Sequence, residues 1–218
     1  LVEEDLERWD KLYYVGADAK ESGVLQGELA AAYLKAHPEA DRNQDGVIQY
    51  VVLEGEAGHQ DAILRTEYAA STLKERGIAL EKLGYALANW NRSQAQTQVQ
   101  QLLQSYGTRI ELILANNDDM ALGALDAYRA SNIPLPPIFG IDGTEPGLSA
   151  VRDQSLTGTV KNNGIGQAEA MLSLALSLAA GEKSAYTLDR GKYIRIPYEA
   201  VSADKDSSIT ARSTELSR

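Results

Sequence analysis

Cysteine is absent from the 218 residues, which excludes disulfides, a thiol nucleophile and any thiolate-held metal. That absence fits the cytoplasm and equally an export route that avoids oxidation. A positive balance is missing too: 21 Lys and Arg stand against 31 Asp and Glu, a formal net charge of -10. Binding a phosphate backbone needs clustered cations that displace counterions, so nucleic acid is excluded as a partner. Long apolar runs are lacking. The longest, Ala168 to Ala180, is interrupted by Glu169, Ser173 and Ser177 and falls short of the roughly 20 residues of a membrane span, so no direct membrane insertion is expected. The first residues, LVEEDLERWD, are acidic where a secretion signal is basic and then apolar; any signal is expected to have been removed or to lie upstream.

What is present describes an ordinary folded protein, with 44% hydrophobic and 24% charged residues. Short apolar runs alternate with helix-like stretches. Strands are expected at Leu12–Gly16, Val47–Leu53, Ile78–Leu87, Ile110–Ala115, Ile138–Ile141, Gly158–Val160 and Tyr193–Ile196. Helices are expected at Ser22–Ala36, Gln60–Arg76, Ser93–Ser105, Asp118–Ser131, Gly147–Asp153 and Gly164–Ala180, with Gly77 and Gly181 as C-terminal stops. Strands separated by helices pair in parallel, which makes this an α/β chain whose ligands sit beyond the carboxyl ends of the strands. There the turns read His59-Gln60-Asp61, Asn89-Trp90-Asn91, Asn116-Asn117-Asp118-Asp119, Asp142-Gly143-Thr144 and Lys161-Asn162-Asn163. Gly164–Ala180 confines its polar residues to one narrow stripe, so it expects burial on most sides; its covering sheet is expected from residues outside this sequence or from a second subunit.

Asp41-Arg42-Asn43-Gln44-Asp45-Gly46-Val47-Ile48-Gln49 places oxygen-bearing side chains at loop positions 1, 3, 5 and 9, glycine at 6 and an apolar residue at 8. Those are the first nine positions of an EF-hand-type calcium loop. Position 12, where an EF-hand carries a bidentate Glu, is Val52, and the chain runs on into a strand-like segment. An ordinary EF-hand is therefore excluded. Either a distant carboxylate completes the coordination, or the segment is an Asx-rich turn before a strand.

YYVGADAKESGVLQGELAA, DRNQDGVIQ, LEGEAGHQDAILRT, IELILANNDDMALGAL, IFGIDG and GTVKNNGIGQA together resemble the galactose/glucose-binding family of type I periplasmic binding proteins, in order, over about residues 9 to 200. The resemblance implies a parallel-sheet, three-layer lobe over residues 1–162 and 199–212, with 163–198 belonging to a second lobe that lies largely outside this sequence. It implies Ca²⁺ held by Asp41, Asn43, Asp45, the Val47 carbonyl, Gln49 and Glu111. For D-galactose or D-glucose it implies His59, Asp61, Arg65, Trp90, Asn117, Asp142 and Asn162, with an aromatic from the other lobe on the opposite sugar face. Pyranose hydroxyls both donate and accept, and carboxylates, amides and a guanidinium answer both roles. A flat indole suits the C–H face of the ring.

Each residue also has a plainer reading: His59, Asp61 and Asn117 as helix starts, Trp90 as core, Arg65 as a solvated helix charge. The expected function is an extracytoplasmic, non-enzymatic receptor, periplasmic or lipid-anchored, that delivers sugar to an ABC permease and presents it to a chemoreceptor. The alternative is the sugar-sensing core of a repressor-like protein, which the acidic balance and the lack of a basic helix-turn-helix oppose. A glycosidase using Asp61 and Asp142 as its carboxylate pair is opposed by the same match to a binding protein.

Overall fold

The computed structural model describes residues 11–202, and these fall into two units: residues 19–162 with 198–202, and residues 11–18 with 163–197.

In the larger unit, α1 (Ala19–Ala36), β1 (Ile48–Glu54), α2 (Gln60–Glu75), β2 (Leu80–Leu87), α3 (Arg92–Tyr106), β3 (Leu112–Ala115), α4 (Asp118–Ser131), β4 (Ile138–Asp142), α5 (Glu145–Arg152), β5 (Gly158–Lys161) and β6 (Glu199–Ser202) follow in chain order. The strands form one sheet in the order β2-β1-β3-β4-β5-β6, parallel except for the antiparallel β5–β6 pair. Burial explains the apolar runs. Six of the seven residues of β1 are buried, as expected of a parallel strand covered on both faces. Val51, Leu53, Ile113 and Ala115 pack with Ala95, Val99 and Leu103 of α3 and with the buried face of α4. On α1, which packs with α2, the buried Gln26 amide donates to the carbonyls of Ala115, Phe139 and Gly140 at 2.8, 3.1 and 3.2 Å. The edge strand β2 is largely exposed, and its charged Glu81 and Lys82 suit an unpaired edge.

The smaller unit pairs β7 (Tyr14–Gly16) in parallel with β8 (Tyr193–Arg195), and carries α6 (Gly164–Ala180). Ala170 and Leu174 of α6 are buried with Ile194 and Ile196, while Ile165, Met171, Leu172, Leu176 and Leu178 are exposed.

Three expectations change. Residues 11–18 leave the lobe assigned to 1–162, because Tyr14–Gly16 takes its hydrogen-bonded partner from Tyr193–Arg195; the boundary at the other end falls before Tyr198. A second strand follows α6, Glu199–Ser202, and closes the larger sheet against β5. Helix α5 begins at Glu145, two residues earlier than expected: the Thr144 side chain accepts from the Gly147 amide and Pro146 sits in the first turn. The part of the expected lobe at 203–212 lies outside the described residues.

Candidate functional site

All seven residues expected for sugar lie in the larger unit, just beyond the carboxyl ends of five parallel strands. His59, Asp61 and Arg65 follow β1, Trp90 follows β2, Asn117 follows β3, Asp142 ends β4 and Asn162 follows β5. Their centre is Arg65. It is only 5% exposed, so its charge must be answered by neighbours. Nη1 donates to the Asn116 carbonyl at 2.7 Å and to Asp142 Oδ1 at 3.2 Å. Nη2 donates to the Tyr198 hydroxyl at 3.3 Å and lies 3.6 Å from Asp61 Oδ2. Its buried Nε has no hydrogen-bond partner among the described residues.

The other members join this hub. Arg65 stands 5.7 Å from the Trp90 ring centroid, and the His59 imidazole meets the same indole edge-on, with centroids 5.2 Å apart. Asn117 Nδ2 donates to the Trp90 carbonyl at 3.3 Å, and the Asn162 amide donates to the Asp142 carbonyl at 2.9 Å. The backbone places Trp90 on purpose: Asn89 and Trp90 both adopt positive φ, 49° and 62°, an arrangement that persists only where surroundings over-determine it. Part of that surrounding is Gly55, whose missing Cβ would stand 2.1 Å from the indole.

The plainer readings hold alongside. His59 caps α2, its Nδ1 accepting from the Asp61 amide at 3.1 Å, which leaves Nε2 as the protonated ring nitrogen. Asn117 caps α4, its Oδ1 accepting from the Met120 amide at 2.9 Å. Arg65 is not a solvated helix charge. Burial pushes the Asp142 carboxyl up to about 6. The Arg65 charge opposes that rise, and Asp118 and Asp119 add to it.

Two contributors escaped the sequence reading. The Asn116 carbonyl takes the shortest of Arg65's hydrogen bonds, and no side-chain pattern announces a carbonyl. Tyr198, 4% exposed, lies in the 163–198 segment expected to belong to a second lobe, and its role depends on a contact with a residue 133 positions earlier.

At the amino ends of the strands lies the loop Asp41–Gln49. Glu111, 1% exposed, reaches it from just before β3: Oε1 accepts from the Arg42 and Asn43 amides at 2.7 and 3.3 Å, and Oε2 from the Gln49 amide at 3.1 Å. Within the loop, Asp41 accepts from the Asp45 and Gly46 amides at 3.2 and 2.9 Å. Asp45 accepts from the Val47 amide at 2.8 Å and from the Asn43 and Gln49 side chains, both at 2.9 Å. The hydrogen bond from the Val47 amide lowers the Asp45 carboxyl below the ordinary carboxylate value. Five residues of one loop, Asp41, Asn43, Asp45, Val47 and Gln49, and Glu111 from outside it therefore bring oxygen atoms together, and a half-turn of the Asn43 or Gln49 amide presents oxygen in place of nitrogen. Among the described residues no three His, Cys, Asp or Glu side chains are already gathered as a metal cluster; the three carboxylates here are each turned onto N–H groups.

Residues 1–183 match the family described as periplasmic binding protein domain. The chain is 41% identical over 203 residues to the D-galactose/methyl-galactoside binding periplasmic protein MglB of Haemophilus influenzae, covering 91% of this chain and 60% of that protein. It is 34% identical over 159 residues to a xylitol-binding protein of Mycolicibacterium smegmatis, covering 73% of this chain and 45% of that one. A Bacillus halodurans ABC transporter solute binding protein, solved with bound myo-inositol, superposes with a TM-score of 0.72 at 29% identity, over 94% of this chain and 62% of that one. The chain thus spans between about half and two thirds of the length of these relatives. Among the described residues no helix is long and apolar enough to cross a membrane. The chain belongs to the periplasmic binding protein family, an extracytoplasmic family of binding proteins rather than enzymes.

Proposed function

We propose that this chain holds the ligand in a receptor for D-galactose or D-glucose that hands the sugar to an ABC permease and, when loaded, is read by a chemoreceptor. The observation that carries this reading is the convergence of His59, Asp61, Trp90, Asn117, Asp142 and Asn162 around the buried Arg65. Asp61 and Asp142 accept hydroxyl protons, the Arg65 fork and the His59 Nε2–H donate to ring and hydroxyl oxygens, and the Trp90 face takes the C–H side of the sugar. A buried guanidinium holding two carboxylates sets their direction before ligand arrives, which reduces the ordering cost of binding. The 41% identity to a galactose-binding relative supports a hexose over other polyols.

The same reading places Ca²⁺ in the Asp41–Gln49 loop, with Asp41, Asn43, Asp45, the Val47 carbonyl, Gln49 and Glu111 as donors. The donor set is all oxygen, which suits a hard cation of six to eight ligands. Bound there, the ion supplies a positive centre that ties the loop to the residue preceding β3. The Glu111 carboxylate is already oriented by three backbone amides.

The ligand class is tested by thermal unfolding of the chain in millimolar D-galactose, D-glucose, xylitol and myo-inositol. A ligand that binds the folded state alone raises Tm. Stabilisation by the two hexoses and not by the two polyols is expected. Stabilisation by myo-inositol or xylitol alone reassigns the ligand, and no response to any of the four removes the sugar-receptor reading.

A further inference from the structure

We propose that Asp118, buried beneath the candidate site and hydrogen-bonded through its side chain to Thr144 and Thr159, is the positioning residue that fixes the Asp142–Thr144 turn and thereby aims the Asp142 carboxylate. The inference rests on the sugar-receptor reading only for its consequence in binding; the geometry stands by itself.

Asp118 is fully buried, and no cation is ion-paired with it among the described residues. A buried carboxylate without a cation costs free energy unless hydrogen bonds answer both oxygens. Here they do: Oδ1 accepts from the Thr159 hydroxyl at 2.6 Å, and Oδ2 from the Thr144 amide at 2.7 Å and the Thr144 hydroxyl at 3.1 Å. Thr159 belongs to β5, and Thr144 ends the turn that leaves β4. One carboxylate on α4 therefore ties two adjacent strand exits together.

Room for it is made on both sides. A Cβ at Gly140 would stand 2.4 Å from Asp118 Oδ1, and one at Gly147 would stand 2.2 Å from Oδ2. The carboxylate is not spent on its own helix, because Asn117 supplies that cap. An apolar side chain in that slot would make none of these three hydrogen bonds.

What it holds is strained. Asp142 has φ 112°, far from the usual range of a residue with a side chain, and Gly143 follows at φ 64°. Such a conformation is unfavourable for a residue with a side chain and survives only when fixed from outside. Two clamps fix it: the Asn162 amide on the Asp142 carbonyl and Asp118 on Thr144. Between them the Asp142 side chain meets Arg65. Asp118 also acts through space. The charged or titratable groups that bear on Asp142 are Arg65 from α2, Asp118 and Asp119 from α4 and Tyr198 from before β6, and Asp118 raises its carboxyl.

The test uses Asp118→Asn, which keeps the size and removes the charge, with Thr159→Val as a second variant that cuts the Oδ1 tether while leaving the charge. Three quantities are read by NMR: the titration midpoint of Asp142, hydrogen exchange at the Thr144 amide, and the Kd for D-galactose. In Asp118→Asn the midpoint should fall below about 6, Thr144 exchange should accelerate at least about tenfold while Ile113 in the core is unchanged, and galactose affinity should weaken about tenfold. Thr159→Val should accelerate Thr144 exchange as well. A merely structural loss would speed Thr144 and Ile113 together. An unmoved midpoint with unchanged Thr144 exchange in Asp118→Asn overturns the proposal, as does uniform acceleration in both variants. Failure of the unmodified chain to bind galactose overturns the sugar reading instead, and the first two measurements still decide the role of Asp118.

Discussion

The two ends of the central strands solve the problem of holding polar groups in different ways. Strand β1 is seven residues long, so its ends lie about 20 Å apart. At its amino end, nine consecutive residues fold a loop whose carboxylates accept from backbone amides, and one distant carboxylate, Glu111, completes it. At its carboxyl end five strand exits each contribute one or a few side chains, and a single buried guanidinium organises them. The first arrangement is local and negative, and in the proposed reading it receives a cation. The second is dispersed and already carries its cation, so it is suited to a neutral ligand rich in hydroxyls. Separate stabilisation of the two ends means that each can be broken without the other.

The largest effect should come from Arg65→Met. It leaves Asp61, Asp142 and the Asn116 carbonyl without their donor, and breaking a buried charge arrangement costs about 3–5 kcal/mol, read by urea unfolding. Hexose stabilisation should vanish while stabilisation by Ca²⁺ persists. Loss of both would show that the ends are coupled after all. Next is Glu111→Gln: Ca²⁺ at 100 times its Kd should stabilise the unmodified chain by about 2.7 kcal/mol, and the variant should lose most of that gain with hexose binding intact.

Acidification from pH 7 to 4.5 gives a smaller effect, read at the carboxyl end. Asp142 rises from 3.8 to about 6 on folding, so its protonation adds stability in acid that is lost as pH rises through about 6. Hexose binding, which uses the ionised carboxylate as acceptor, should run the other way and weaken up to tenfold per pH unit below about 6. A galactose Kd flat from pH 7 to 4.5 would contradict this assignment. Smallest is Tyr198→Phe. It removes one hydrogen bond to the guanidinium, worth about 1 kcal/mol, and should weaken galactose three- to tenfold with little change in Tm.

Legibility in the sequence followed the range of the interactions. The Asp41–Gln49 loop could be read because its spacing is contiguous, and the helices because their periodicity and stops are local. The residues at the strand exits could be listed, but Trp90's backbone at positive φ and Arg65's nearly complete burial come from tertiary packing that no periodicity expresses. Glu199–Ser202 was missed because its only apolar residues, Ala200 and Val201, are adjacent and flanked by Glu199 and Ser202. Residues 11–18 were misplaced because Tyr14–Gly16 finds its partner about 180 positions away, and a three-residue strand holds no record of that choice. Asp118 was legible only as part of a polar turn; the slot formed by Gly140 and Gly147 appears once the chain is folded.

The central claim is that the carboxyl-end residues form one hexose site, independent of the loop at the other end. It is tested most directly by titrating the ¹⁵N-labelled chain with D-galactose to high millimolar concentration and following side-chain and backbone signals residue by residue. The account predicts saturable shifts at the Trp90 indole, the Arg65 guanidinium and the Asn117 and Asn162 amides, with Asp41–Gln49 and Glu111 unmoved. Shifts confined to the loop, or none at the strand exits at saturating sugar, would contradict it.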